Sequence, residues 1–278
     1  MPVEPRPFVV GQWPRIHGEV SGEGPPIVLC HGMTATRRYV VHGSRALERA
    51  GHMVVTYDAR GHGDSDPAPP EQGYGYPELV DDLEAVAQWT IGRARFVLGG
   101  HSLGAHTAIA YALRHPQRPR GLVVIGPTYA GEPASEEALA YWDGLAAALE
   151  AGGVEAFVDY IDSRQSVEPA KREAVRRFTR ERVERNRDLR AVADALREVP
   201  RTHPFGSLEA LESIAVPTLV VASNDGADPG HPRRIAEAYA ERMPQAKLIV
   251  EEEGESPLAW QGGRLSREIA AFCAELED

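Results

Sequence analysis

Phe96-Val97-Leu98-Gly99-Gly100-His101-Ser102-Leu103-Gly104-Ala105 is the stretch on which the reading of this chain turns. Three apolar residues lead into Gly100-His101-Ser102-Leu103-Gly104, a G-x-S-x-G pattern, and residues 105–114 then read as a helix that stops near Pro116. Strand, sharp turn and helix together are what the chemistry of such a motif needs. The turn lifts a serine hydroxyl above the sheet edge, and the flanking glycines make room for crowded backbone. The backbone N–H of Leu103, at the start of the helix, is aimed at a developing oxyanion. A bare G-x-S-x-G also arises in ordinary glycine-rich turns, so the flanking strand and helix carry the argument.

Outward from this point the chain alternates strand and helix signals. Residues 27–30 form an apolar run that ends at Gly32, and 39–50 read as a helix closed by Gly51. Met53–Tyr57 is the next strand, followed by a Gly/Asp/Pro-rich loop to Pro70. Leu79, Leu83, Val86 and Ala87 recur at i, i+4, i+7 and i+8, one face of a helix. Residues 122–125 are a further strand, and 8–12 with 15–21 read as an opening antiparallel pair. From about 135 to 199 the strand signal disappears. That stretch is rich in Ala, Glu and Arg, is broken at Gly152-Gly153 and Pro169, and reads as three or four helices. Thr218–Ala222 (strand), Arg233–Arg242 (helix), 247–250 (strand) and 265–276 (helix) resume the first pattern. The expectation is an α/β fold: a mostly parallel central sheet with helices on both faces, its core made of 1–127 and 209–278, with 128–208 inserted as a helical cap.

Composition limits the partners. The 278 residues carry a formal charge of −11, which argues against a nucleic-acid binder with a basic face. Two cysteines, Cys30 and Cys273, make neither a disulfide framework nor a zinc motif. The N-terminal Met1-Pro2-Val3-Glu4-Pro5-Arg6-Pro7 does not read as a signal peptide, and no apolar run approaches the ~20 residues of a membrane span. A cytoplasmic protein with a small-molecule substrate is expected, using no cofactor and no metal, and binding neither nucleic acid nor membrane.

Two further segments join the serine motif. His31-Gly32-Met33 follows the strand at 27–30, and Asp58-Ala59-Arg60-Gly61-His62-Gly63-Asp64-Ser65 follows Met53–Tyr57. With these, the sequence resembles the α/β-hydrolase superfamily over nearly its whole length. The resemblance implies that Ser102 is a nucleophile and that the Met33 and Leu103 N–H groups form an oxyanion hole. It implies also that the Asp58–Ser65 loop is a structural turn, with His31 and His62 in structural roles. His101 is expected to pack in the turn, and His106 to be a helix position without chemistry.

In this family the acid follows the strand at Thr218–Ala222 and the histidine follows the last strand. Asp228-Pro229 fits the acid best, with Asp225 as the alternative; either also reads as a turn aspartate. The histidine is missing from its place. After 247–250 the chain reads Glu251-Glu252-Glu253-Gly254-Glu255-Ser256, with Glu255 where the histidine is expected, and no histidine follows His231. Loss of a triad histidine costs on the order of 10⁶ in kcat, so a hydrolase needs a substitute. His231 is one candidate, displaced to the loop on the same sheet edge, although Gly-His-Pro before a helix also reads as a helix start. Glu255 acting as base is another, and a site that no longer hydrolyses is the third.

The resulting expectation is a cofactor-independent enzyme that cleaves an ester or related acyl bond of a small molecule. A binding protein, or a lyase or proton-transfer enzyme using the same pocket, is the alternative. Within the cap, residues 171–190 are crowded with arginines interleaved with Glu173, Glu181, Glu184 and Asp188, a pattern of i, i+4 pairs on a solvated face. The sharper alternative is that one or two of these arginines enter the cleft and hold an anion. Tyr129, Tyr141, Trp142, Phe157 and Tyr160 are candidates for an apolar pocket lining.

Overall fold

The computed structural model describes residues 4–164, 167–224, 226 and 228–276. Strands β1 (Arg6–Val10), β2 (Ile16–Ser21), β3 (Pro26–Cys30), β4 (Met53–Tyr57), β5 (Phe96–His101), β6 (Pro119–Ile125), β7 (Thr218–Ala222) and β8 (Ala246–Val250) form one sheet. Its order is β1-β2-β4-β3-β5-β6-β7-β8. The β1/β2 and β2/β4 pairs are antiparallel, and every later pair is parallel.

The apolar strand runs explain why both faces are covered. Along β3, Ile27 and Leu29 enter one core while Val28 and Cys30 enter the other, as the period of two requires. Val97, Val123 and Ile125 join the first of these cores, and Leu98, Leu122 and Val124 the second. Helices α2 (Tyr76–Ile91), α3 (Leu103–Arg114) and α7 (Arg233–Arg242) cover one face; α1 (Ala46–Arg49) and α8 (Gly262–Glu275) cover the other. Truncating a fully buried leucine such as Leu29 to alanine costs about 2–5 kcal/mol in cores of this kind.

The helix expected over 39–50 is not formed as such. Only α1 and a 3₁₀ turn at Arg37–Tyr39 are helical, because His42 (φ +48°) and Gly43 (φ +70°) take left-handed backbone and turn the chain. His42 is fixed there by a 2.8 Å contact between its Nε2 and the Ala259 carbonyl. The apolar residues that gave the helical pattern, Val40 and Val41, are buried in the sheet core instead.

Between β6 and β7 lie α4 (Glu136–Arg164), α5 (Arg172–Val183) and α6 (Leu189–Glu198), and no strand occurs there among the described residues. α4 is bent at Gly152-Gly153, where Gly153 has φ +64°. Asp188 caps α6, accepting the N–H groups of Arg190 and Ala191 at 3.0 Å. These helices share a core of Leu145, Leu149, Phe157, Val183, Val192 and Leu196, against which Met33 also packs. The arginines of α5 do not rely on i, i+4 partners as the spacing implied. Arg172 and Arg176 reach Asp162 of α4, and Arg180 reaches Glu155 of α4. Those pairs clamp two helices together and sit at the surface, where each contributes little. No described helix is long and apolar enough to cross a membrane.

Candidate active site

β5 ends at the serine turn. Ser102 has φ +52° and ψ −114°, a conformation that costs a non-glycine residue free energy and is held by its surroundings. Its N–H donates to the Ile125 carbonyl at 2.9 Å, and its carbonyl accepts from the His106 N–H at 3.1 Å. Two glycines make the turn sterically feasible. A Cβ on Gly100 would lie 2.2 Å from the Gly104 carbonyl, and one on Gly104 would lie 2.1 Å from the Cys30 carbonyl oxygen. Leu103 is the first residue of α3, so its N–H has no acceptor within the helix.

The loop after β3 comes up beside this turn because Cys30 is in register with Gly100. A Cβ on Gly32 would sit 3.4 Å from the Ser102 Cβ. Thr34, with φ +64°, bends the chain immediately after Met33. His31 is structural: its Nε2 accepts the Ala59 N–H at 2.8 Å, which leaves the proton on Nδ1, 2.8 Å from the Gly32 carbonyl. Burial pushes its imidazole down to about 4. His62 lies against His31, with its Nδ1 3.0 Å from the Arg60 carbonyl. The same loop is braced by Asp58, which accepts from the Arg37 N–H at 2.7 Å and the Asp64 N–H at 3.0 Å. His106 holds backbone in place: its Nε2 accepts the N–H groups of Thr128 and Tyr129, at 3.0 and 3.1 Å, fixing the chain as it leaves β6.

The loop after β7 carries Asp228 and His231, which meet through Oδ1 and Nδ1 at 2.8 Å. Both are largely buried, with side chains 10% and 16% exposed. Burial alone would raise the Asp228 carboxyl, but the pairing with His231, assisted by the fields of His101 and Arg182, holds it below the ordinary carboxylate value. With Nδ1 donating to Asp228, the His231 Nε2 is a bare acceptor. The ring lies 4.8 Å, centroid to centroid, from that of His101, the residue that precedes Ser102. Both rings pack at the end of β6, where a Cβ on Gly126 would sit 3.3 Å from His231 and 3.4 Å from the His101 Nε2. That His101 nitrogen is buried and has no hydrogen-bond partner among the described residues. Burial, reinforced by the adjacent His231, holds the His101 imidazole well below its usual value.

Ser102, His231, Asp228, His101 and Met33 line one cavity of about 210 Å³. Its other wall comes from the β6–β7 insertion, through Tyr141, Trp142, Phe157 and Arg182 among others. Of the other aromatics expected there, Tyr129 packs on Phe205 and its carbonyl accepts the Tyr239 hydroxyl, and Tyr160 packs against Tyr141, neither lining the cavity. Tyr39, Phe178 and Trp260, which carry no motif, do line it.

Glu255 is not brought to this cavity. Its carboxylate pairs with Arg264 and accepts the Glu252 N–H at 3.1 Å, and its side chain is 39% exposed. The Arg264 hydrogen bond holds it below the ordinary glutamate value, the opposite of what a general base needs. The physical reason is the turn after β8. Glu251, the residue directly after the strand, is the carboxylate that points inward, where it accepts the backbone N–H groups of Asn224 and Leu258. The chain then reverses through Gly254 at φ +84° and carries Glu255 outward. Asp225 lies outside the described residues.

A strained serine at a strand-to-helix turn, on a sheet of this order, defines the class. The chain belongs to the alpha/beta hydrolase fold family, whose model matches residues 25–262. The "Putative carbamate hydrolase RutD" of Agrobacterium fabrum is 29% identical over 237 residues, 84% of this chain and 87% of that protein. Epoxide hydrolase B of Mycobacterium tuberculosis is 37% identical over 121 residues, 42% of this chain and 34% of that protein. A thermophilic esterase from Thermogutta terrifontis shares the fold with a TM-score of 0.77, at 24% identity over 98% of both chains.

Proposed function

We propose that the protein is a serine hydrolase that cleaves an ester, or a related acyl bond, of a small molecule. Ser102 is the nucleophile, His231 the general base and Asp228 the residue that orients it; the Met33 and Leu103 N–H groups receive the oxyanion. The His231 Nε2 takes the Ser102 proton as Oγ bonds to the substrate carbonyl carbon, and the carbonyl π pair moves onto oxygen. Collapse of that intermediate breaks the bond to the leaving group, which departs with the proton from Nε2. Water then attacks the acyl-serine by the same route, returning Ser102 and releasing the acid. The insertion between β6 and β7 acts as a cap that shields these steps from bulk water. The single observation that carries the reading is that Ser102 and the Asp228–His231 pair line one cavity, with the pair joined at 2.8 Å.

Turnover of 4-nitrophenyl butyrate by the wild type and by Ser102→Ala tests it. Turnover in the wild type that falls at least 10³-fold in the variant is expected. Equal rates in the two proteins would refute the assignment.

A further inference from the structure

The cavity wall formed by the segment between β6 and β7 carries one charge that takes no part in the proton transfers proposed above. Arg182, near the end of α5, lines the cavity, and its Nε is buried with no hydrogen-bond partner among the described residues. It differs in this from its neighbours on the helix: Arg172, Arg176 and Arg180 each pair with an acid of α4. Among the described residues that line the cavity, only Arg182 and Asp228 carry charge, and the Asp228 Oδ1 is engaged by His231. No salt bridge joins Arg182 to a described carboxylate. Phe157, Val175, Leu196 and Trp142 make the apolar part of the lining, and the polar side chains of Tyr39, Tyr141 and Thr179 also belong to it. Burial works against the charged guanidinium, and the nearby Asp228 offsets that in part. A guanidinium stays protonated even so, and a buried one with a free donor is unfavourable until an acceptor arrives.

We infer that Arg182 receives a carboxylate of the substrate, so that the preferred substrates are esters or lactones that also bear an acid group. This rests on the hydrolase reading above and narrows its substrate class. A single planar fork of donors in a small, mostly apolar cavity matches a carboxylate, which it meets side by side with two parallel hydrogen bonds.

The test compares substrates that differ only by the acid. Mono(4-nitrophenyl) adipate is assayed against 4-nitrophenyl hexanoate, which places the carboxylate on the acyl side; 4-acetoxybenzoate against phenyl acetate places it on the leaving group. Preference for the acid in at least one pair is expected, and the acid-to-neutral ratio of kcat/KM falls about 10- to 100-fold in Arg182→Gln. Arg177→Gln, an exposed arginine of the same helix, leaves that ratio unchanged. Adipate is also titrated against the wild type, Arg182→Gln and Arg177→Gln by thermal shift, a readout that needs no catalysis. Stabilisation lost only in Arg182→Gln supports the anion site even if no ester is turned over, in which case only the hydrolase reading falls. Ester turnover without acid preference in either pair, together with no adipate stabilisation, overturns the anion site and leaves the hydrolase reading intact. Neither turnover nor adipate binding removes both.

Discussion

Replacing Asp228 with asparagine isolates what its carboxylate contributes. The side chain keeps its size, but Nδ2 replaces an acceptor opposite the His231 Nδ1. The ring then favours the tautomer with the proton on Nε2, where it cannot accept from Ser102. The charge is lost as well. In the proposed reaction His231 becomes an imidazolium beside Asp228, joined at 2.8 Å, as it takes the serine proton. At a charge separation near 4 Å and an effective dielectric constant of 20, that attraction is worth about 4 kcal/mol, on the order of 10³ in rate. With the tautomer effect, the expected loss is roughly 10³- to 10⁴-fold in kcat. The loss should fall on kcat more than on KM, because the imidazolium exists only after proton transfer begins. The Asp228 carboxyl already sits below its ordinary value of 3.8, so it is ionised across the neutral range and the wild type's acid limb is not its titration. Steady-state kinetics on 4-nitrophenyl butyrate, with the far-ultraviolet spectrum checked for folding, measure the effect. A folded Asp228→Asn variant within tenfold of the wild type would refute the role given to this pair.

Glu255→Gln should keep kcat/KM within about twofold, since the side chain pairs with Arg264 outside the cavity; a loss above tenfold would return that carboxylate to the site. Stability should fall as the pH drops from about 6.5 toward 4. Buried His31 is pushed down to about 4, and His62 and His106 to about 3, so across that window the unfolded chain binds protons that the folded chain does not. Their stabilisation is fully present above 6.5 and is lost at roughly 1.4 kcal/mol per pH unit for each histidine. Urea unfolding at pH 7.5, 6 and 5 reads this, and a flat unfolding free energy would contradict it. Gly104→Ala should destabilise by about 3 kcal/mol, because the new Cβ meets the Cys30 carbonyl oxygen at 2.1 Å; an unchanged melting temperature would show that the turn yields more easily than its geometry implies.

The strand-to-helix turn at Ser102 was legible because every local signal agreed: an apolar strand, two flanking glycines where backbones touch, and a helix signal directly after them. The strands β7 and β8 were legible as short apolar runs, with the helix α7 between them. The segment 39–50 was not, since its apolar residues face the sheet from irregular backbone, and the left-handed His42 leaves no mark in composition. The proposed base was only half legible. A position expected from the family put a carboxylate after β8, whereas the side chain's direction there is set by Glu251 tying the turn to Asn224 and Leu258. His231 could be ranked from its sheet edge, but its contact with Asp228 depends on the turn in which the His231 N–H donates to the Asp228 carbonyl at 3.1 Å. Arg182 stood in a row of arginines that reads as solvated. Which member turns inward is decided by the packing of α5 on α4, a tertiary fact with no local signature.

The central claim is that His231 activates Ser102. A fluorophosphonate probe followed by intact-mass and peptide mass spectrometry tests it most directly, because only an activated serine reacts quickly. One adduct is expected, on Ser102, forming at least 10³-fold more slowly in His231→Ala and at an unchanged rate in Glu255→Gln. Failure of the wild type to label, or labelling of His231→Ala at the wild-type rate, would contradict it.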